Sequence, residues 1–287
     1  MKRATACIIL ILVGLSSRQL VRGQAAPVLG AFRALAGLGR VQAINNSGEI
    51  AAWSGATEEV QGVLIDQSGN TTAISVPGSS QTLIYGINNN TRIVGAYNAS
   101  NNAPNFGAGH GFLYDNGTFQ TIDNPGGADT RLRGINDVKQ IVGDYRDSTG
   151  HQHGFLFQQG SFKPIDVMGA VNTFAYGLNN AGTIVGYYTD SQGHQHGFVA
   201  DKNGIRTMDV PFPGATDTFV YGINNLETIV GSYIDRTGTH GFVNVKGSFL
   251  SIDAPGTPAA IGTFSRSVND NNQVLLYGTT AFIVGIS

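Results

Sequence analysis

The sequence predicts an all-β fold: a six-bladed β-propeller of four-stranded antiparallel blades, closed by an N-terminal strand that completes the last blade. Three observations predict it. A turn containing Asn recurs with its first Asn at 45, 88, 136, 179, 224 and 269. Each repeat holds short β-prone runs separated by turn residues, enough for four strands. The last repeat lacks its final strand, and an unmatched strand stands before the first repeat.

The repeat is written most clearly in Gly86-Ile87-Asn88-Asn89, Gly134-Ile135-Asn136-Asp137, Gly177-Leu178-Asn179-Asn180 and Gly222-Ile223-Asn224-Asn225. Ala43-Ile44-Asn45-Asn46 and Ser267-Val268-Asn269-Asp270 are looser copies. Residues 172–210 show how one copy folds. Thr173 to Leu178 is a first strand, and Asn179-Asn180-Ala181-Gly182 a turn, because Asn and Gly tolerate positive φ. Thr183 to Tyr188 is a second strand, followed by the turn Asp190-Ser191-Gln192-Gly193. His196 to Ala200 is a third strand. After Asp201-Lys202-Asn203-Gly204, Ile205 to Val210 is a fourth. Pro211 then ends the ladder, since proline has no amide donor.

The ends argue for a ring. The last repeat supplies Thr263 to Val268, Gln273 to Tyr277 and Ala281 to Ile286, and no fourth strand follows. Ala31 to Leu35 aligns with the fourth-strand sequences Phe119 to Ile122 and Phe249 to Ile252. Pairing it with the last repeat removes the free edges of an open sheet. A linear solenoid, the rival architecture, needs no such match.

Residues 1–23 read as a signal peptide. Lys2 and Arg3 precede the apolar run Ile8 to Leu15, which is too short to span a bilayer as a helix. Residues 24–287 then form a single domain, secreted or periplasmic, with no cysteine, because Cys7 lies in the signal. The mature chain carries 13 basic and 19 acidic residues, a formal charge of −6, which argues against a nucleic-acid partner. No membrane span is expected, and a monomer is.

The steps Gly-Ile-Asn-Asn, Ile-Val-Gly, Gly-x-x-His-Gly-Phe and Ile-Asp-x-Pro-Gly together resemble the bacterial extracellular HAF repeat family. The His-Ala-Phe step that names the family reads here His110-Gly111-Phe112, His153-Gly154-Phe155, His196-Gly197-Phe198 and His240-Gly241-Phe242, with Gly in place of Ala. The resemblance covers nearly all of the mature chain and implies export. It implies no particular reaction.

Candidate chemistry follows from loop placement. The Asn-Asn turns belong to one face of a propeller. The turns carrying Asp147, Asp190 and Asp235 belong to the other, with His110, His153, His196 and His240 just after them. Each repeated His reads as a hydrogen-bond donor within its own blade. Asp123, Asp166, Asp209 and Asp253 read as acceptors of backbone amides at strand ends. Two copies read His-Gln-His. His151 with His153, and His194 with His196, would share a strand face at a spacing of two, so a divalent metal is the one cofactor these residues suggest. Two residues before the repeated Ile lie Gln42, Tyr85, Arg133, Tyr176, Tyr221 and Arg266. Tyr85, Arg133, Tyr176, Tyr221 and Arg266 suit a sugar or an anion through stacking and bidentate hydrogen bonds. Trp53 reads as core packing. The insertion Asn98 to Gly109 reads as a flap over the same face.

The chain has no Gly-x-Ser-x-Gly elbow, Ser-x-x-Lys, His-Glu-x-x-His or phosphate-cradling loop. The sequence thus favours a binding or scaffold module for a carbohydrate or another cell-surface polymer over an enzyme. A propeller hydrolase or lyase acting on glycans or lactones at the channel mouth is one alternative. A purely structural envelope repeat protein is the other.

Overall fold

The computed structural model describes residues 27–35, 40–55, 60–98 and 109–287. Among them 24 strands form six four-stranded antiparallel sheets. Blade 1 is β2 (Arg40–Ile44), β3 (Ile50–Ser54), β4 (Gln61–Ile65) and β5 (Thr71–Ile74). Blade 2 is β6 (Gln81–Ile87), β7 (Ile93–Asn98), β8 (His110–Asp115) and β9 (Thr118–Thr121). Blade 3 is β10 (Asp129–Ile135), β11 (Ile141–Arg146), β12 (Gln152–Gln158) and β13 (Ser161–Pro164). Blade 4 is β14 (Asn172–Leu178), β15 (Ile184–Thr189), β16 (Gln195–Asp201) and β17 (Gly204–Thr207). Blade 5 is β18 (Asp217–Ile223), β19 (Thr228–Asp235), β20 (Gly238–Val245) and β21 (Ser248–Ile252). Blade 6 is β22 (Phe264–Val268), β23 (Gln273–Tyr277), β24 (Ala281–Gly285) and, from the other end of the chain, β1 (Arg33–Leu35).

The closing strand sits where the sequence placed it. Arg33, Ala34 and Leu35 pair antiparallel with Ile283, Phe282 and Ala281. Gly30 N donates to Gly285 O at 2.8 Å, and Leu29 bridges Ile286. The fourth strand of blade 4 is shorter than expected. It ends at Thr207, because the chain turns to cross to blade 5, and Val210 N donates to Thr218 Oγ1 at 3.2 Å instead of to the ladder. The same threonine lock recurs as Val76 to Thr82, Asn124 to Thr130, Val167 to Thr173 and Ala254 to Thr263. The signal peptide and residues 99–108 of the insertion lie outside the described residues. Among the described residues no helix is long and apolar enough to cross a membrane.

Two sequence steps prove to be one packing unit. Gly95, Gly143, Gly186 and Gly231 pair with Phe112, Phe155, Phe198 and Phe242. Each of these phenylalanines is fully buried. A Cβ on any of the four glycines would stand 2.6 to 2.8 Å from the ring and strike a carbonyl of the first strand. Glycine is required here because the ring occupies the space of the missing side chain. Burying each ring contributes roughly 2–3 kcal/mol. The second glycine has its own cause. A Cβ at Gly111, Gly154, Gly197 or Gly241 would press on the carbonyl of Ile122, Ile165, Met208 or Ile252, where the chain leaves the blade. The apolar core lies between blades. One cluster joins Val94 of blade 2 to Leu132, Ile135, Ile141 and Phe155 of blade 3, and another joins Val185 of blade 4 to Val220, Tyr233 and Phe242 of blade 5.

The Asn turns do more than reverse the chain. Asn45 Nδ2 donates to Asn88 O, Asn88 to Asn136 O, Asn136 to Asn179 O, Asn179 to Asn224 O, Asn224 to Asn269 O, and Asn269 back to Asn45 O, at 2.9 to 3.3 Å. The circle is closed. Each Oδ1 meanwhile accepts the amide four residues on, as Asn88 does from Arg92 N at 2.9 Å. A buried amide with both ends satisfied is stabilising, whereas one left unpaired costs about 1–3 kcal/mol. The next residues close a second circle, from Asn46 N to Asn89 Oδ1 around to Asp270 N to Asn46 Oδ1. Together they surround a polar cavity of about 80 Å³ on the axis.

Candidate ligand site at the channel

The six positions singled out on the first strands share one structural cause. In every blade the pairing of first and second strands slips by one residue, and the unpaired residue is Gln42, Tyr85, Arg133, Tyr176, Tyr221 or Arg266. A bulge of this kind re-aims one side chain out of the ladder. Here it lets residues of neighbouring blades meet. Arg133 Cζ stands 4.5 Å from the Tyr85 ring and 4.8 Å from the Tyr176 ring. Tyr176 meets Tyr221 edge to face at 5.2 Å, and Arg266 Cζ lies 4.8 Å from Tyr221. The structure therefore brings Tyr85, Arg133, Tyr176, Tyr221 and Arg266 together as a continuous arc of cations and rings.

Around that arc the blades are unlike. In blade 3, Arg133 Nε donates to Asp144 Oδ1 at 2.6 Å, and Asp144 is fully buried. Arg131 pairs with Asp129 at 2.7 Å and approaches Asp144 at 3.7 Å, while Arg146 reaches Asp129 at 3.4 Å. The Gln152 amide, oriented to satisfy both neighbours, donates to Asp144 at 3.2 Å and accepts from Arg146 Nε at 2.9 Å. Burial works against the Arg133 charge, but Asp144 together with Tyr176 and Tyr85 outweighs it and holds the guanidinium well above its ordinary pKa. This is a fixed ion network, and its arginines are already engaged.

Blades 4 to 6 carry aromatics at the position Arg131 holds in blade 3. Arg131 pairs in register with Asp144, Phe174 with Tyr187, Phe219 with Ser232 and Phe264 with Tyr277. Phe174 stacks on Tyr187 at 4.7 Å, and Tyr187 meets Phe219 of the next blade at 5.0 Å and Tyr176 at 5.4 Å. Phe174, Tyr176, Tyr187, Phe219, Tyr221 and Phe264 are all half-buried, so this wall keeps accessible ring surface. Burial pushes the Tyr187 and Tyr221 hydroxyls up, so both stay protonated at neutral pH. Phe174, Tyr187, Phe219 and Phe264 were missed in the sequence. Their signal was present in the register: they occupy matching places in successive repeats, where blade 3 has charges.

The repeated histidines are clips within blades. Nδ1 of His110, His153, His196 and His240 lies 2.7 to 3.1 Å from Asp123, Asp166, Asp209 and Asp253. The far nitrogen of His153, His196 and His240 faces Asp147, Asp190 and Asp235 at 3.2 to 3.4 Å. Each imidazole packs against Tyr97, Tyr145, Tyr188 or Tyr233 at 5.1 to 5.3 Å. Partial desolvation of His153 and His196 lowers their affinity for a proton, but the flanking carboxylates more than compensate and raise both pKa values.

His151 and His194 fall in turns ahead of β12 and β16, so the strand spacing that would align them with His153 and His196 does not apply. His151 Nδ1 bonds Thr149 Oγ1 at 2.9 Å, and both residues are exposed. Among the described residues no group of three or more His, Cys, Asp or Glu is placed to hold a metal ion. Trp53 is half-buried, with Arg40 Cζ 5.0 Å above its ring.

No family model and no curated protein matches the chain. Solved structures do match in fold. AofleA from Arthrobotrys oligospora superposes with a TM-score of 0.55 at 15% identity, covering 93% of this chain and 88% of that one. The XC5397 gluconolactonase from Xanthomonas campestris gives 0.54 at 11% identity, covering 92% and 96%. A fucose-specific lectin from Aleuria aurantia gives 0.53 at 12% identity, covering 88% and 96%. The chain is a six-bladed β-propeller. At such identities the likeness extends to the fold alone.

Proposed function

We propose that this propeller is an exported carbohydrate-binding module whose ligand is a glycan or similar cell-surface polymer, docked against the aromatic wall of blades 4 to 6. One observation carries the reading. Phe174, Tyr176, Tyr187, Phe219 and Tyr221 form a connected, half-buried aromatic surface, joined to Phe264 through Arg266, where blades 4 to 6 depart from blade 3. A sugar ring presents C–H groups that stack on such faces, and tyrosine hydroxyls and arginines supply donors around them. The His and Asp clips recur from blade to blade and serve the scaffold. Binding is favoured over catalysis because Arg133 is locked to Asp144, and Tyr187 and Tyr221 hold their protons too tightly to act as bases at neutral pH. That the fold houses a fucose-specific lectin and a gluconolactonase makes sugar handling compatible with this architecture.

The test is a glycan array read at low and moderate salt, with hits confirmed by calorimetry on the wild type and Phe219→Ala. Binding of at least one glycan class, weakened about tenfold or more by the substitution, is expected, since one aromatic contact contributes about 1.5 kcal/mol or more. Silence across neutral and acidic glycans overturns the reading.

A further inference from the structure

Arg133 and Arg266 occupy the same bulge position in blades 3 and 6, three blades apart and so on opposite sides of the axis. Their surroundings differ in one decisive way. In blade 3 the residue paired with Arg131 is Asp144, whose carboxylate takes the Arg133 guanidinium. In blade 6 the matching pair is Phe264 with Tyr277. Blade 6 keeps the arginine and drops the acid.

Among the described residues no carboxylate pairs with Arg266, and its Nε is fully buried with no hydrogen-bond partner. The guanidinium is held only between rings, 4.8 Å from Tyr221 and 5.0 Å from Phe264. Cation–π contact of this kind offsets only part of the cost of an unmet buried charge. On the next blade Arg40, exposed and stacked on Trp53, adds a second cation free of any carboxylate partner among the described residues.

We propose that Arg266 recognises the carboxylate of an acidic sugar, a hexuronate unit, within the glycan ligand; this rests on the carbohydrate reading above. A planar carboxylate accepts two parallel N–H bonds from a guanidinium, which matches a donor set left open. Tyr221 and Phe264 flank that guanidinium, so a ring attached to the carboxylate meets an aromatic face at once. Across the channel the blade 3 guanidiniums are already engaged by Asp129 and Asp144, which leaves Arg266 as the cation that a ligand carboxylate meets.

Calorimetry tests this with a glucuronate-terminated oligosaccharide, its glucose-terminated counterpart, acetate and inorganic phosphate. The wild type is expected to bind the acidic oligosaccharide about tenfold or more tightly than the neutral one, the scale of a charge-assisted pair. Arg266→Met should remove the preference for the acidic oligosaccharide, and Arg266→Lys should restore part of it. Equal affinity of the wild type for both oligosaccharides overturns the inference without any variant, so a misfolded Arg266→Met cannot shelter it. So does a preference that survives in a folded Arg266→Met, or phosphate competing as strongly as the glucuronide, which would put a free inorganic anion in the subsite. If neither oligosaccharide binds and the array is silent as well, the carbohydrate reading itself falls and takes this one with it.

Discussion

At the scale of single residues, the same chemistry serves opposite ends in different blades. Arg133 and Arg266 hold the same place in the repeat, yet one is neutralised by a buried acid and the other, among the described residues, is not. The Arg133–Asp144 pair is costly to break from one side. Asp144→Asn should destabilise the protein by about 3–5 kcal/mol, because it strands a buried guanidinium, whereas Arg133→Met with Asp144→Leu should recover most of that loss. Urea denaturation of the three proteins measures it. Equal losses in the single and double variants would show that packing, not charge, sets the cost. The bulge residues were legible because they stand at a fixed offset from the repeated Ile. Asp144 as an ion-pair partner was not, since its partner is chosen by strand register across a turn, which periodicity does not reveal.

At the scale of the element, each blade is a strand ladder with an Asn hub at one end, and blades 2 to 5 carry a His–Asp clip at the other. The strands and turns could be read directly, because Asn, Asp and Gly punctuate short β-prone runs. The coupling of the two motifs was hidden: Gly186 and Phe198 are separate words in the sequence and one packed contact in the sheet. The clip makes stability depend on pH. His153 and His196 bind protons more tightly folded than their ordinary value of 6.5. Their contribution is therefore fully present below pH 6.5 and is lost as pH rises through the raised folded values. Asp147, Asp190 and Asp235 lie below their ordinary value of 3.8, Asp147 chiefly through Thr149, so their contribution is present above pH 3.8 and lost as pH falls through the lowered values. The thermal midpoint should rise modestly as pH falls from about 8 to about 6, then drop below about 4. Each half-exposed His contributes under about 1 kcal/mol after solvent screening. Circular dichroism melts across this range check it. In the His153→Gln/His196→Gln variant the upper limb should flatten, and an unchanged upper limb would remove the clip as its cause.

At the scale of the whole molecule, closure was the most legible feature and the functional asymmetry the least. A missing strand at one end and a spare at the other are both visible in one dimension. The two Asn circles were not, because each of their bonds spans a blade boundary and the circle only exists once the ring is closed. Removing residues up to Leu35 should uncover the edge of β24, from Ala281 to Ile283, lower the melting midpoint by about 10 °C or more, and promote association through the exposed strand. Differential scanning calorimetry and light scattering read both effects. An unchanged midpoint would mean that the Asn circles alone hold the ring.

The proposed division of labour assigns the scaffold to what repeats and binding to what breaks the repeat. Glycan affinity compared between His196→Ala and Phe219→Ala tests that division most directly. The account predicts that His196→Ala lowers the melting midpoint and leaves the dissociation constant within about twofold, while Phe219→Ala, half-exposed in the aromatic wall, weakens binding about tenfold or more. Loss of affinity in His196→Ala with Phe219→Ala unaffected would contradict it.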